Sequence, residues 1–229
     1  MTGFGASGEI LFQIGPVHIT HAIVVTWGIM LALALFSWVG TRRLSLQPGP
    51  LQVVLEGAVE AIDDAIRSVL PGHSERVFPF IATLWIFIVS ANLIGLIPEI
   101  HSPTGDLSVT SALAILVFLS VHWFGIRIEG VKQYLRHYLA PSPLLLPFHL
   151  ISEITRTLTL AVRLFGNMMS LEMAALLVLL VAGFLVPIPL LMLHMVEALI
   201  QAYIFGMLAL IYLAGAIQTR ELRSQSEKG

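Results

Sequence analysis

The sequence predicts an all-α polytopic membrane protein, with about five transmembrane helices and one amphipathic helix on the cytoplasmic side. The last two helices are expected to be long and strongly tilted. Three observations predict this class. Hydrophobic residues make up 57% of the chain and charged residues only 11%, against roughly 25% charged in a soluble domain, and the mean hydropathy is +0.89. Apolar runs of the length that crosses a ~30 Å hydrocarbon core recur along the chain. Lys and Arg cluster in alternate loops, as topology in a bilayer requires. A net charge of −2 and the lack of any basic tract give no ground for nucleic-acid binding. The chain has no cysteine, which excludes disulfides, thiolate chemistry and iron–sulfur ligation.

Taken in order, residues 1–18 form an extracytoplasmic N-terminus. Its first seventeen residues contain Glu9 and no Lys or Arg. They lack the basic start of a cleaved signal peptide, so the first apolar run is expected to stay in the membrane. That run, 19–40, ends at Arg42 and Arg43. Residues 51–70 place Leu51, Leu55, Val59, Ile62, Ile66 and Val69 on one stripe, with Glu56, Glu60, Asp63 and Arg67 opposite. This is an amphipathic helix lying in the interface or against a partner, and its acidic face favours a protein over an anionic lipid surface. The second span, 77–97, stops at Pro98-Glu99. The third, 108–126, is followed by Arg127, Lys132 and Arg136. Beyond the joint Pro141-Ser142-Pro143 come two long helices, 149–184 and 190–218, separated by Val186-Pro187-Ile188-Pro189. The tail, 219–229, carries Arg220, Arg223 and Lys228. The whole chain, 1–229, reads as a single membrane domain. Its loop charges put the N-terminus outside and the C-terminus in the cytoplasm.

A helix over 149–184 would be roughly 50 Å long, well beyond the hydrocarbon core. It must tilt steeply or leave the bilayer at one end. Within it stands Arg163, about fourteen residues from one end of the apolar run and about twenty from the other. A guanidinium does not deprotonate in proteins, and its placement at a bilayer centre costs about 2.5 kcal/mol or more. Such a residue is by default a functional hypothesis.

Helical geometry sorts the polar residues around it. Arg156, Thr159, Asn167 and His149 all fall within about 40° of Arg163, and Glu172 points to roughly the opposite face. On the last helix His194, Glu197 and Gln201 share a face, beside Ala198, Ala202 and Gly206, small enough for close helix approach. Carboxylates and imidazole exchange protons, whereas Arg holds a fixed field that can force a nearby carboxyl to ionise. The sequence offers no second intramembrane carboxylate as a lasting partner for Arg163, which puts that partner on another chain. Arg156 reads as a snorkelling anchor. His194 is either a packing residue or part of a proton path. His21 and His122 have no clustered partners and read as structural. Asn92 caps a helix, bonds across helices or lines a channel; Asp106 suits an N-cap. Met168, Met169, Met192, Met195 and Met207 read as packing. His149 and Glu153 are four apart, but no further histidine or cysteine set completes a metal site.

The run Arg163-Leu164-Phe165-Gly166-Asn167-Met168, with Glu172 five beyond Asn167 and Gln201-Ala202-Tyr203-Ile204-Phe205 on the next helix, resembles subunit a of the F-type ATP synthase membrane sector. Asn92-Leu93-Ile94-Gly95-Leu96-Ile97-Pro98 and Gly105-Asp106-Leu107-Ser108-Val109-Thr110 extend the resemblance from the second span to the C-terminus. It implies a non-catalytic stator subunit of the bacterial inner membrane, binding no cofactor or metal. Its partners would be a ring of c subunits whose carboxylate faces Arg163, b-type peripheral stalk subunits, the F1 sector and the lipid bilayer. Two offset half-channels would meet the ring, with Arg163 separating them. Residues matching Asn167, Glu172, His194, Glu197 and Gln201 would belong to the ion path, with Asn92, Asp106 and Thr159 as further candidates for its lining. The transported ion is taken as the proton. Leu171 stands where the family commonly has Gly, and Ser108 where it commonly has Asn. These departures suit a divergent, alternative form of the enzyme, and the choice between proton and sodium lies largely with the ring.

The alternative is a secondary transporter using Arg163 for an anionic substrate. It predicts inverted repeats and discontinuous helices, and the sequence contains no internal repeat.

Overall fold

In lipid every backbone N–H and C=O must be satisfied within the chain, so an apolar run becomes a helix. The structure, a computed structural model, describes residues 10–14, 17–42, 49–97, 102–130, 146–182 and 187–226. Among them six helices carry the fold: α1 His21–Thr41, α2 Pro50–Val69, α3 Ser74–Ile94, α4 Leu107–Glu129, α5 Leu146–Ala182 and α6 Pro187–Ser226. A single 3₁₀ turn, Pro103–Gly105, precedes α4. The expected joint at Pro141-Ser142-Pro143, the stop at Pro98-Glu99, and Arg43, Lys132, Arg136 and Lys228 lie outside the described residues.

Four of these helices are long and apolar enough to cross a membrane: His21–Thr41, Ser74–Ile94, and the segments Leu107–Arg127 and Leu191–Gly215 of α4 and α6. The chain is an all-α polytopic membrane protein, with one small addition. Ile10–Ile14 (β1) and Val17–Thr20 (β2) pair as an antiparallel hairpin, Ile14 opposite Val17. The sequence reading gave this stretch no secondary structure. Its β-branched content and the intervening Gly15-Pro16 are the signals that favour a hairpin.

Helix α6 is the centre of the bundle and touches α2, α3, α4 and α5, while α4 packs mainly along α5. The core at these seams is built from Ile81 and Ile88 of α3, Val117 of α4, Leu160 and Leu164 of α5, and Phe205, Leu210 and Leu213 of α6, all buried. Lipid tails are as apolar as these side chains, so close fit rather than expulsion from water holds such helices together. The tightest fit is at Gly206: any Cβ there would fall on the indole of Trp85. The same indole stacks on Tyr203, centroids 5.9 Å apart, and donates to the Tyr203 carbonyl at 3.4 Å. The expected approach over Ala198, Ala202 and Gly206 is therefore realised, with both alanines fully buried.

Other surfaces are left open. In α1 Ile29 alone is buried, and Trp27, Leu31, Phe36 and Trp38 are exposed. The amphipathic α2 docks by its second half, through Ile66 and Leu70. Its first half leaves Val53, Val54 and Val59 exposed, so the apolar stripe is only half used within the chain. Met168 is buried as packing, but Met192 and Met195 face outward, contrary to that reading. Helices α5 and α6 span 37 and 40 residues, roughly 55 and 60 Å at 1.5 Å per residue.

Candidate functional site

The 3.6-residue period of α5 gives it three working faces. Leu160, Ala161, Leu164, Met168 and Leu171 are buried against the bundle. Arg156, Thr159 and Arg163 lie on an exposed flank. Asn167, one turn beyond Arg163, sits where the two faces meet and is half-buried. Among the described residues no carboxylate lies within ion-pair distance of Arg163. Its cationic head points away from its own chain's acids. Thr159 bonds only back along its helix, its Oγ1 donating to the Thr155 carbonyl at 2.7 Å.

Glu172 turns the other way, into the 3₁₀ turn ahead of α4. The Ser102 backbone N–H donates to Glu172 Oε1 at 3.2 Å. A Cβ at Gly105 would come within 3.2 Å of the same oxygen, so a glycine there lets the carboxylate sit against the turn. Behind it lies a buried polar cluster. Thr104 donates to Asn92 Oδ1 at 2.7 Å, and Asn92 Nδ2 donates to the Ala198 carbonyl of α6 at 3.2 Å. Ser102 donates to the Ala91 carbonyl at 2.9 Å and lies 2.6 Å from the Thr104 hydroxyl. Asn92 and Thr104 are fully buried. Of the alternatives open for Asn92, the structure shows the bond across helices.

The α6 face closes the site. Asn167 Nδ2 donates to Gln201 Oε1 at 2.6 Å. Gln201 and His194 are 2% and 3% exposed, and Gln201 Nε2 and His194 Nε2 have no hydrogen-bond partner among the described residues. Glu197 is half-buried at the edge of the same face. The fold thus brings Asn92, Asn167, Glu172, His194 and Gln201 to the junction of α3, α5, α6 and the turn. It leaves Arg163 and Thr159 on the outer flank.

A family model described as ATP synthase A chain matches residues 23–214. The chain belongs to the ATP synthase A chain family. It is 66% identical to "ATP synthase subunit a 2" of Pelobacter propionicus over 94% of both chains. It is 61% identical to "ATP synthase subunit a" of Legionella pneumophila over 97% of both. A more distant relative, "ATP synthase subunit a 2" of a Bradyrhizobium species, is 45% identical over 92% of this chain and 95% of its own.

Both departures from the commoner pattern of the A chain family have structural explanations. Leu171 is buried in a small apolar patch with Met168, Ala198 and Leu93, where its side chain fills space between helices. Ser108 works with Asp106, whose Oδ1 accepts from the Ser108 N–H at 2.8 Å and from its hydroxyl at 2.7 Å. Asp106 is therefore the N-cap of α4. Sequence reasoning missed one pair altogether. His122, read as lacking a clustered partner, places Nε2 3.2 Å from Glu153 Oε2 across the α4–α5 seam. It had set His122 aside and counted no second intramembrane carboxylate. The two are 31 positions apart and lie on different helices, so no periodicity within either helix could pair them. Among the described residues no group of three His, Cys, Asp or Glu gathers as a metal site.

Proposed function

We propose that this protein is the non-catalytic, ion-translocating stator subunit of a rotary F-type ATP synthase in the bacterial inner membrane. The observation that carries the proposal is the division of labour on α5. Arg163 is exposed, with no acidic partner among the described residues, while Glu172 is held against the turn beside a buried polar cluster. A fixed cation facing outward from an apolar helix calls for an anion on a neighbouring chain. The ring of c subunits, with one carboxylate per subunit, is that neighbour. The b-type stalk subunits and the F1 sector complete the set of partners.

In this reading a proton reaches Glu172 through the cluster of Asn92, Ser102 and Thr104. His194, Glu197 and Gln201 line its way, and Asn167, tied to Gln201, holds α5 and α6 in register beside Arg163. Buried polar atoms such as His194 Nε2 and Gln201 Nε2 are the kind that water or a transported ion satisfies. The proton passes to the ring carboxylate, which rotates through the lipid as a neutral group. When a carboxyl on the ring meets Arg163, the guanidinium favours its ionised form. At about 4 Å and an effective dielectric of about 20 the attraction is about 4 kcal/mol, or about a thousandfold in proton affinity. That is enough to force release into the second half-channel, and the same charge repels a cation trying to pass directly. The lengths of α5 and α6 suit steeply tilted helices laid along a curved ring. The N-terminus is placed outside and the C-terminus in the cytoplasm.

The test is ATP-driven quenching of a pH-sensitive dye in vesicles holding the whole complex, with and without sodium. Quenching without sodium that vanishes in Arg163→Ala is the expected result. Undiminished pumping by that variant would overturn the proposal.

A further inference from the structure

We infer that His122 and Glu153 form a proton-exchange site for the second half-channel, on the opposite side of Arg163 from Glu172. The inference rests on the rotary reading above and adds a site to it. Its first support is position. Glu153 lies ten residues before Arg163 and Glu172 nine after it, roughly 15 and 14 Å along the helix axis. Each carboxylate meets an end of the region around α4. Glu172 faces the turn that leads into that helix, and Glu153 faces His122, sixteen residues beyond Asp106 and roughly 24 Å along α4. Two carboxylates therefore flank the fixed charge at opposite depths.

The second support is the chemistry of the pair. His122 Nδ1 lies 2.8 Å from the Phe118 carbonyl. A carbonyl only accepts, so Nδ1 carries the hydrogen. Nε2 then faces the Glu153 carboxylate at 3.2 Å, and one further proton can reside between them. Loaded, the pair is an imidazolium beside a carboxylate, with no net charge. When that proton leaves to water it becomes a neutral imidazole beside a carboxylate, with a net charge of −1. No other bond changes. The side chains are 27% and 24% exposed, so the site is partly shielded yet reachable. The charged and titratable neighbours leave the proton between these two groups. On α5 His149 and Arg156 are exposed, and Arg156 lies over the ring of Tyr212 from α6. On α4 Arg127 is turned onto Trp123. Helix α3 meets this end of α4 with Phe80 against Phe124.

The experiment uses the whole complex in vesicles, with Arg163→Ala as the control for the rotary reading. His122→Arg keeps a cation opposite Glu153 but cannot release its proton. It is expected to assemble with the ring and to lower ATP-driven proton pumping by about a hundredfold or more, the lower end of what a positioned acid–base group contributes. Glu153→Asp should pump faster than Glu153→Gln. Wild-type pumping in His122→Arg, with pumping lost in Arg163→Ala, would reduce the pair to a structural tie and leave the rotary reading standing. Sodium uptake in place of proton uptake by the wild type would also overturn the inference alone. If His122→Arg fails to assemble, carbodiimide labelling of the wild-type complex decides. Modification of Glu153 at neutral pH supports a carboxyl that takes up protons, and its absence overturns the site.

Discussion

Asn167 donates its side-chain amide to Gln201 Oε1 at 2.6 Å across the seam between α5 and α6, one turn from Arg163. Gln201 is 2% exposed, so removing the donor strands a buried amide. Asn167→Leu should destabilise the helix pair by about 1–3 kcal/mol, the cost of an unmade buried bond. Replacing both residues with Leu should recover most of that loss, since matched apolar partners are nearly neutral. Transport should stay impaired in the double variant. Thermal unfolding of the purified complex and dye quenching in vesicles separate the two effects.

Gly206 meets the Trp85 indole with no room for a side chain. Gly206→Val should therefore separate α3 from α6, at a cost of about 1–3 kcal/mol or more. Because that seam also carries the Asn92 bond to the Ala198 carbonyl, yield of the assembled complex should fall together with pumping. Trimming the indole by Trp85→Leu in the Gly206→Val background should restore part of the yield. No gain from the second change would mean the contact does not set the helix spacing.

Asp106 is an N-cap in the structure, and the prediction for it is one of stability. Asp106→Ala should lower the stability of α4 by about 1 kcal/mol and leave the pumping rate close to wild type. Asp106→Asn or Asp106→Ser should restore stability. A large loss of pumping in Asp106→Asn, with melting unchanged, would return the residue to the ion path.

Gly105 lets Glu172 rest against the turn. Gly105→Leu should push the carboxylate aside and slow ATP-driven pumping, while the cap by Asp106 keeps α4 intact. Thr104→Val, which removes the donor to Asn92 Oδ1, should cost about 1–3 kcal/mol for the stranded acceptor. Pumping measured against ATP hydrolysis in the same vesicles reads both variants. A Gly105→Leu complex that pumps at the wild-type rate would show that the position of Glu172 is not critical.

The site was legible where its signals are local. Arg163, Asn167 and Glu172 stand on one helix, and their angles about its axis follow from a 100° step per residue. The same step set His194 and Gln201 on one face beside the small residues that meet α3 and α5. The roles of Ser102 and Thr104 were not legible, because two hydroxyls in a short turn look like any loop. Their value comes from a turn that folds back over the end of α3. The N-terminal hairpin was likewise hidden, since a short apolar run beside a proline fits several structures equally well.

The sequence by itself determined that the chain lives in a membrane, that its spans are helices, and that one permanent charge lies deep among them. Composition and periodicity suffice for this, because lipid leaves a backbone few ways to satisfy its polar groups. It also determined the family, through a motif whose residues lie within a few helical turns. Only the tertiary structure decided which polar groups meet. It brought Glu172 to the Ser102 turn, tied Asn167 to Gln201, turned Asp106 into a cap and set His122 against Glu153. The physical reason is range. Helical order is fixed by neighbours three or four residues away, whereas contacts between helices depend on how whole apolar faces fit together, and no short window of sequence contains that fit.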